Sequence, residues 1–124
     1  MRAEIVESFL RQSYWAGERP FETIERSLRN SLGFMIFERA TDTPVAFCRV
    51  VTDYATFAWL CDVFVHPTFR ERRLSVWMIE CALNHPDVRN VRRWILATRD
   101  AHALYSRFGF LPLAHADRWM ERCT

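Results

Sequence analysis

Between Cys61 and Leu83 the chain reads CDVFVHPTFRERRLSVWMIECAL, and the residue types with most chemical potential sit at its centre, Arg70-Glu71-Arg72-Arg73-Leu74-Ser75. A basic turn that leads from a strand into a helix can receive a phosphate, because the first turn of a helix offers unpaired N–H groups and partial positive charge. Turns that wrap main chain around phosphate favour glycine, which takes positive φ freely and lets the backbone approach closely. This one has no glycine, and Glu71 sets a negative charge beside an anionic ligand. The alternative reading of RERR is a solvated charged loop. Three arginines at a helix start are electrostatically unfavourable, however, and an anion held by guanidinium groups would relieve them.

The elements around the turn follow from residue spacing. Cys61–Val65 continues an apolar strand that begins near Phe57, and Leu74, Trp77, Met78, Cys81 and Ala82 fall on one face of the helix that follows. Ahead of them, Ile5, Val6, Phe9 and Leu10 recur at helical spacing, as do Phe21, Ile24 and Leu28 after Pro20. Gly33–Arg39 and Val45–Val51 are β-favouring and flank Thr41-Asp42-Thr43-Pro44, which predicts a hairpin. Downstream, Trp94–Thr98 reads as a short strand, and Asp100 as the N-cap of a helix carrying Ala101, Leu104, Tyr105 and Phe108 up to Gly109. Phe110–Leu113 and Arg118–Glu121 read as closing strands. The expected fold is one α/β domain over residues 1–124. Its mixed, mainly antiparallel sheet is flanked by helices and contains one parallel strand-helix-strand step from Val63 to Thr98. Ligands of such a sheet bind beyond the strand's C-terminal end, here His66–Arg73.

Composition narrows the classes of function. The 124 residues are 50% apolar, enough for one packed core. The 17 basic and 15 acidic side chains are interspersed, which speaks against a nucleic-acid-binding composition and leaves any basic patch local. Cys48, Cys61, Cys81 and Cys123 stand far apart with no CxxC pair, so neither a metal site nor a disulfide framework is indicated, and reduced, mostly buried thiols are expected. No apolar run is long enough to span a bilayer and no signal-peptide core is evident; the expected location is cytoplasmic.

DVFV followed by HPTFRERRLS, then WILATRDAHALYSRFGF, then RWME resembles the GCN5-related N-acetyltransferase (GNAT) superfamily. Its signature is a strand, an R/Q-x-x-G-x-G/A turn and a helix, with a later A-x-x-LY-x-x-FGF segment. The resemblance implies that acetyl-CoA is the cosubstrate and that backbone groups of Val63, Phe64 and Val65 pair with its pantetheine arm. It implies that amides of Arg70, Glu71, Arg72, Arg73, Leu74 and Ser75 receive the pyrophosphate, and that the Tyr105 hydroxyl acts as general acid at the thioester sulfur. Arg70 matches the opening basic residue, whereas Arg73 and Ser75 occupy the two glycine positions.

An amine acceptor would need a general base. Asp62, on the strand leading into the turn, is the leading candidate, and Asp53 in the preceding turn is the second. Each has a plainer reading: Asp62 as a carboxylate tied to local backbone or an arginine, Asp53 as a turn residue satisfying local amides. Tyr14, Trp15, Tyr54 and Trp59 could line an acceptor pocket, and His66 reads as a loop histidine. The expected function is acetyl transfer from acetyl-CoA to a primary amine, on a small molecule or a peptide, by direct attack. A GNAT-fold module that has lost CoA binding is the first alternative. A nucleic-acid-binding domain using Arg70, Arg72, Arg73, Arg89, Arg92 and Arg93 is the weaker one. Members of the superfamily usually open with a strand; its absence here leaves an exposed edge that a second copy could complete as a homodimer.

Overall fold

The computed structural model describes residues 1–124, apart from the side chains of Glu71 and Arg72. Helices α1 (Ala3–Leu10) and α2 (Phe21–Arg29) are followed by strands β1 (Leu32–Glu38), β2 (Thr43–Thr52) and β3 (Ala58–Val65), a 3₁₀ segment (Pro67–Arg72) and α3 (Leu74–Asn84). The two-residue β4 (Trp94–Ile95) and the short α4 (His102–Ser106) complete the regular structure, save for a 3₁₀ turn at Ala116–Arg118. The sheet order is β1-β2-β3-β4, antiparallel except for the parallel β3–β4 pair. The mixed architecture expected from sequence is thus borne out. Among the described residues no helix is long and apolar enough to cross a membrane.

Helices cover both faces of the sheet, which is why β2 is buried without alternation from Val45 to Val50. On one face Ala46, Cys48, Val50, Ala58 and Leu60 pack against Met78, Ile79 and Ala82 of α3 and Tyr105 of α4. On the other, Phe47 and Phe64 pack against Val6, Phe9 and Leu10 of α1 and Ile24 of α2. Phe9 and Phe64 stack with ring centroids 5.1 Å apart. Charges at the ends of α2 complement its dipole: Glu22 lies in its first turn, Arg26 and Arg29 in its last.

Several sequence expectations change. The buried stripe of α3 is Met78, Ile79 and Ala82, while Trp77 and Cys81 are exposed, so the helix is rotated from the face predicted. Two of the four thiols, Cys81 and Cys123, are exposed rather than buried. Asp100 does not cap α4; the Thr98 hydroxyl accepts the Ala101 N–H instead, at 3.0 Å, and the helix starts at His102. Neither Phe110–Leu113 nor Arg118–Glu121 is a strand, and residues 111–124 are exposed throughout. Apolar residues make a strand only where a ladder partner exists, and the pairing that β4 makes is two residues long and to β3. Pro112 further removes a donor from the first of these segments.

Candidate active site

β3 and β4 touch only at their starts, through Ala58 with Trp94 and Trp59 with Ile95. Beyond that point β3 runs on alone on this side, and a cleft of about 620 Å³ opens between it and residues 97–101. Its walls include Trp59 to Val63 of β3 and Tyr105 of α4, with Tyr14, Trp15 and Arg19 from the loop between α1 and α2.

A β-bulge shapes the β3 wall. Arg49 faces Cys61 and Phe47 faces Phe64, so β3 carries one more residue than β2 in this interval. Asp62 within it takes a left-handed φ of 53°. The bulge changes the phase of the strand. The His66 N–H donates to the Val45 carbonyl, so by alternation Phe64 is bonded to β2 and the backbone groups of Val63 and Val65 turn to the open side. Phe64, expected to pair with ligand, is therefore committed to the sheet. The Val65 carbonyl accepts from Arg70 Nε at 3.0 Å, and the Arg70 guanidinium lies 5.8 Å from the Phe64 ring centroid.

The Asp62 carboxylate is the polar centre of the cleft. Trp15 Nε1 donates to Oδ1 at 2.8 Å, while Arg49 Nε at 2.6 Å and Arg19 Nη1 at 2.8 Å donate to Oδ2. Burial alone would push this carboxyl up, but hydrogen bonds and charge from Arg19 and Arg49 outweigh it and hold it below the usual carboxylate range. These surroundings make Asp62 ill suited to accept a proton, contrary to the role expected from sequence. Arg49 and Arg19 are the site residues that sequence reasoning missed. A signal existed for Arg49: a lone charge inside VAFCRVV must find a buried partner if the strand is core.

The 13–19 loop ties the two walls together. Trp15 and Arg19 hold β3, whereas the Tyr14 hydroxyl accepts the Arg99 N–H at 3.2 Å and the Arg99 guanidinium sits 3.8 Å from the Tyr14 ring centroid. Trp59 joins Tyr14 and Trp15 on the cleft wall; Tyr54 does not. Asp53 accepts from the Ala55, Thr56 and Phe57 amides and from the Thr56 hydroxyl, bonds that hold its carboxyl below the ordinary range and make it a turn residue. His66 Nδ1 accepts from the Thr68 N–H at 3.3 Å. Tyr105 is 8% exposed, and burial, with smaller contributions from Cys48 and Tyr14, pushes its phenol up to about 12. It stays protonated across the physiological range. Among the described residues no group of His, Cys, Asp and Glu could hold a metal ion.

The profile of the Acetyltransferase (GNAT) family matches residues 2–110. A GNAT-family protein from Xanthomonas campestris pv. campestris is 40% identical, superposes with a TM-score of 0.93, and aligns over 100% of this chain and 87% of its own. The chain belongs to the GNAT family of acetyltransferases. More distant acetyltransferase structures share the fold. One from Streptococcus pneumoniae is 21% identical, with a TM-score of 0.78 over 100% of this chain and 91% of that one. Another, from Clostridium acetobutylicum and solved with acetyl-CoA, is 16% identical, with a TM-score of 0.73 over 98% and 89%. No curated protein matches the chain.

In this GNAT chain the turn before α3 is left-handed at a residue that is not glycine. Arg73, at the first glycine position, takes φ 58° and ψ 27°, the left-handed conformation for which glycine is the default. It immediately precedes α3, whose first turn has no side-chain cap, and its own side chain is exposed. Arg70 is already engaged with Val65 and Phe64. Leu74 and Ser75 are half-buried at the helix start. Glu71 and Arg72, also expected at the ligand, have side chains outside the described residues. Among the described residues the turn contributes nothing to the cleft walls, and it lies past the C-terminal end of β3.

Proposed function

We propose that the protein is an acetyl-CoA-dependent N-acetyltransferase acting on a primary amine by direct attack. The observation that carries this reading is the divergence of β3 from β4, which leaves the Val63 backbone and the Tyr105 phenol on the walls of one cleft. In this reading the pantetheine arm lies along the open side of β3, at Val63 and Val65, and the uncapped start of α3 takes the pyrophosphate. The amine nitrogen attacks the thioester carbonyl carbon, the C–N bond forms and the C–S bond breaks. Tyr105 gives its proton to the departing sulfur and recovers one, through water, from the nitrogen. In the same reading the Val63 N–H stabilises the oxyanion of the tetrahedral intermediate. Asp62 acts as a positioning residue that fixes the bulge, and the amine deprotonates to solvent.

Arg73 takes over from the absent glycine as a phosphate ligand, its guanidinium replacing the close main-chain approach that a side chain obstructs. Two consequences of opposite sign follow for Arg73→Gly. Relief of the left-handed conformation, about 1–2 kcal/mol, is partly offset by a freer unfolded chain, so thermal unfolding should show a gain of roughly 0.5–1 kcal/mol. Calorimetric titration should show acetyl-CoA affinity falling by about tenfold as one charge-assisted contact is lost. A rise in affinity would mean that the arginine merely blocks the turn. Titration of the wild-type protein tests the reading as a whole: one-to-one binding supports it, and no binding at millimolar acetyl-CoA would leave a GNAT-fold interaction module in its place.

A further inference from the structure

The cleft floor carries more positive charge than the protein neutralises. Arg19 and Arg49 share the single Asp62 carboxylate, and among the described residues neither has another acidic partner. Arg99 at the rim is bonded to Asp100 only loosely, at 3.7 Å with both side chains about two-thirds exposed (65% and 69%), an arrangement that solvent screens. Three guanidiniums against two carboxylates leave one positive charge in excess, and its centre is the buried trio. Arg19 is the member that meets the cavity: its side chain is 22% exposed, it lines the cleft, and only Nη1 is engaged. Its remaining guanidinium N–H groups have no side-chain or backbone acceptor among the described residues. Trp15, Trp59, Tyr14, Leu60 and Ala97 give the same cleft apolar surface, and its other side-chain acceptors include Thr98 and the exposed Asp100.

A partly buried guanidinium with idle donors is a costly arrangement unless an acceptor arrives from outside. We infer that the acceptor amine also carries an anionic group, a carboxylate or phosphate, and that Arg19 holds that group through the donors Asp62 leaves free. The inference rests on the acceptor occupying this cleft, as the proposed acetyl transfer requires. It adds a reason for reactivity: the same excess positive charge disfavours an ammonium, so it favours the neutral, nucleophilic form of the amine once the anionic group has drawn the molecule in. A cationic acceptor lacking an anion, such as a polyamine, would meet uncompensated repulsion.

Matched amines test this directly: phenylalanine against its amide for the carboxylate, and phosphoethanolamine against ethanolamine for the phosphate. For the wild-type enzyme with acetyl-CoA, at least one anionic member should exceed its neutral partner by about tenfold or more in kcat/KM, with the difference in KM. That ratio should shrink as ionic strength rises. Arg19→Gln should bring the ratio close to one, and Arg19→Lys should keep a good part of it. Equal use of both members of each pair, or preference for the neutral ones, overturns the inference. Calorimetric binding of the same amines without acetyl-CoA separates it from the catalytic reading. Anion-dependent binding with no turnover would retain the anion site and remove the enzyme. Binding indifferent to the anion, or no binding of any of the four amines, would remove the site whatever the catalytic outcome. The wild-type comparisons need no variant, so a poorly folded Arg19→Gln does not disarm the test.

Discussion

Asp62→Asn is expected to destabilise the fold by about 3 kcal/mol, because it leaves two guanidiniums facing each other with no compensating charge. Arg49 and Asp62 are both buried, at 8% and 6% exposure, so solvent cannot take over the role. For a domain of this size the loss corresponds to a melting temperature lower by roughly 10 °C. The sign with pH follows from the direction of the shift. The folded carboxyl is held below its ordinary value, so its contribution is complete above the unfolded pKa of about 4 and is lost as pH falls through the folded value. Melting curves of wild type and variant should accordingly differ at pH 7 and converge in strong acid. A variant that keeps its melting temperature yet loses turnover would return Asp62 to the role of general base.

Tyr105→Phe should lower kcat by about a hundredfold, within the range general-acid catalysis supplies, while acetyl-CoA binding stays near wild type. The hydroxyl has no hydrogen-bond partner within the protein among the described residues, and the ring contributes its packing against Phe110, with centroids 6.1 Å apart, in either side chain. Stability is therefore expected to change little at neutral pH. In alkali the wild type alone carries a penalty: its phenol is raised to about 12, so the contribution of the protonated group is intact below about 10 and is lost as pH rises through the folded value. Isothermal binding and steady-state kinetics on the same preparation separate the two possibilities. Weakened binding with an unchanged kcat would show the tyrosine to be a wall of the cleft and nothing more.

Local pattern was legible wherever burial has a simple geometry. The hairpin of β1 and β2, the strand before RERR and the helix after it were all expected, since residue propensity, turn signals and apolar spacing report which element forms even where they miss the face it buries. Patterns failed where a long-range partner decides. Phe110–Leu113 has the composition of a strand but pairs with none, and α3 buries Met78 and Ile79 while Trp77 is exposed. Asp62 shows the same limit at the site: its place on β3 was evident, but its partners lie 13, 43 and 47 residues away in the chain.

From the order of residues alone came the family resemblance, the α/β architecture and the basic turn as a point of contact with an anion. Those are properties of neighbours in sequence, and short-range sterics and periodicity suffice to express them. Folding in three dimensions decided how the residues at these points are held. Arg73 takes a left-handed backbone, which its residue type does not favour, at the junction between the 3₁₀ segment and the start of α3. The convergence of Trp15, Arg19 and Arg49 on Asp62 holds its carboxyl below the usual range, because a carboxylate's proton affinity is set by charges that only tertiary packing brings within 3 Å.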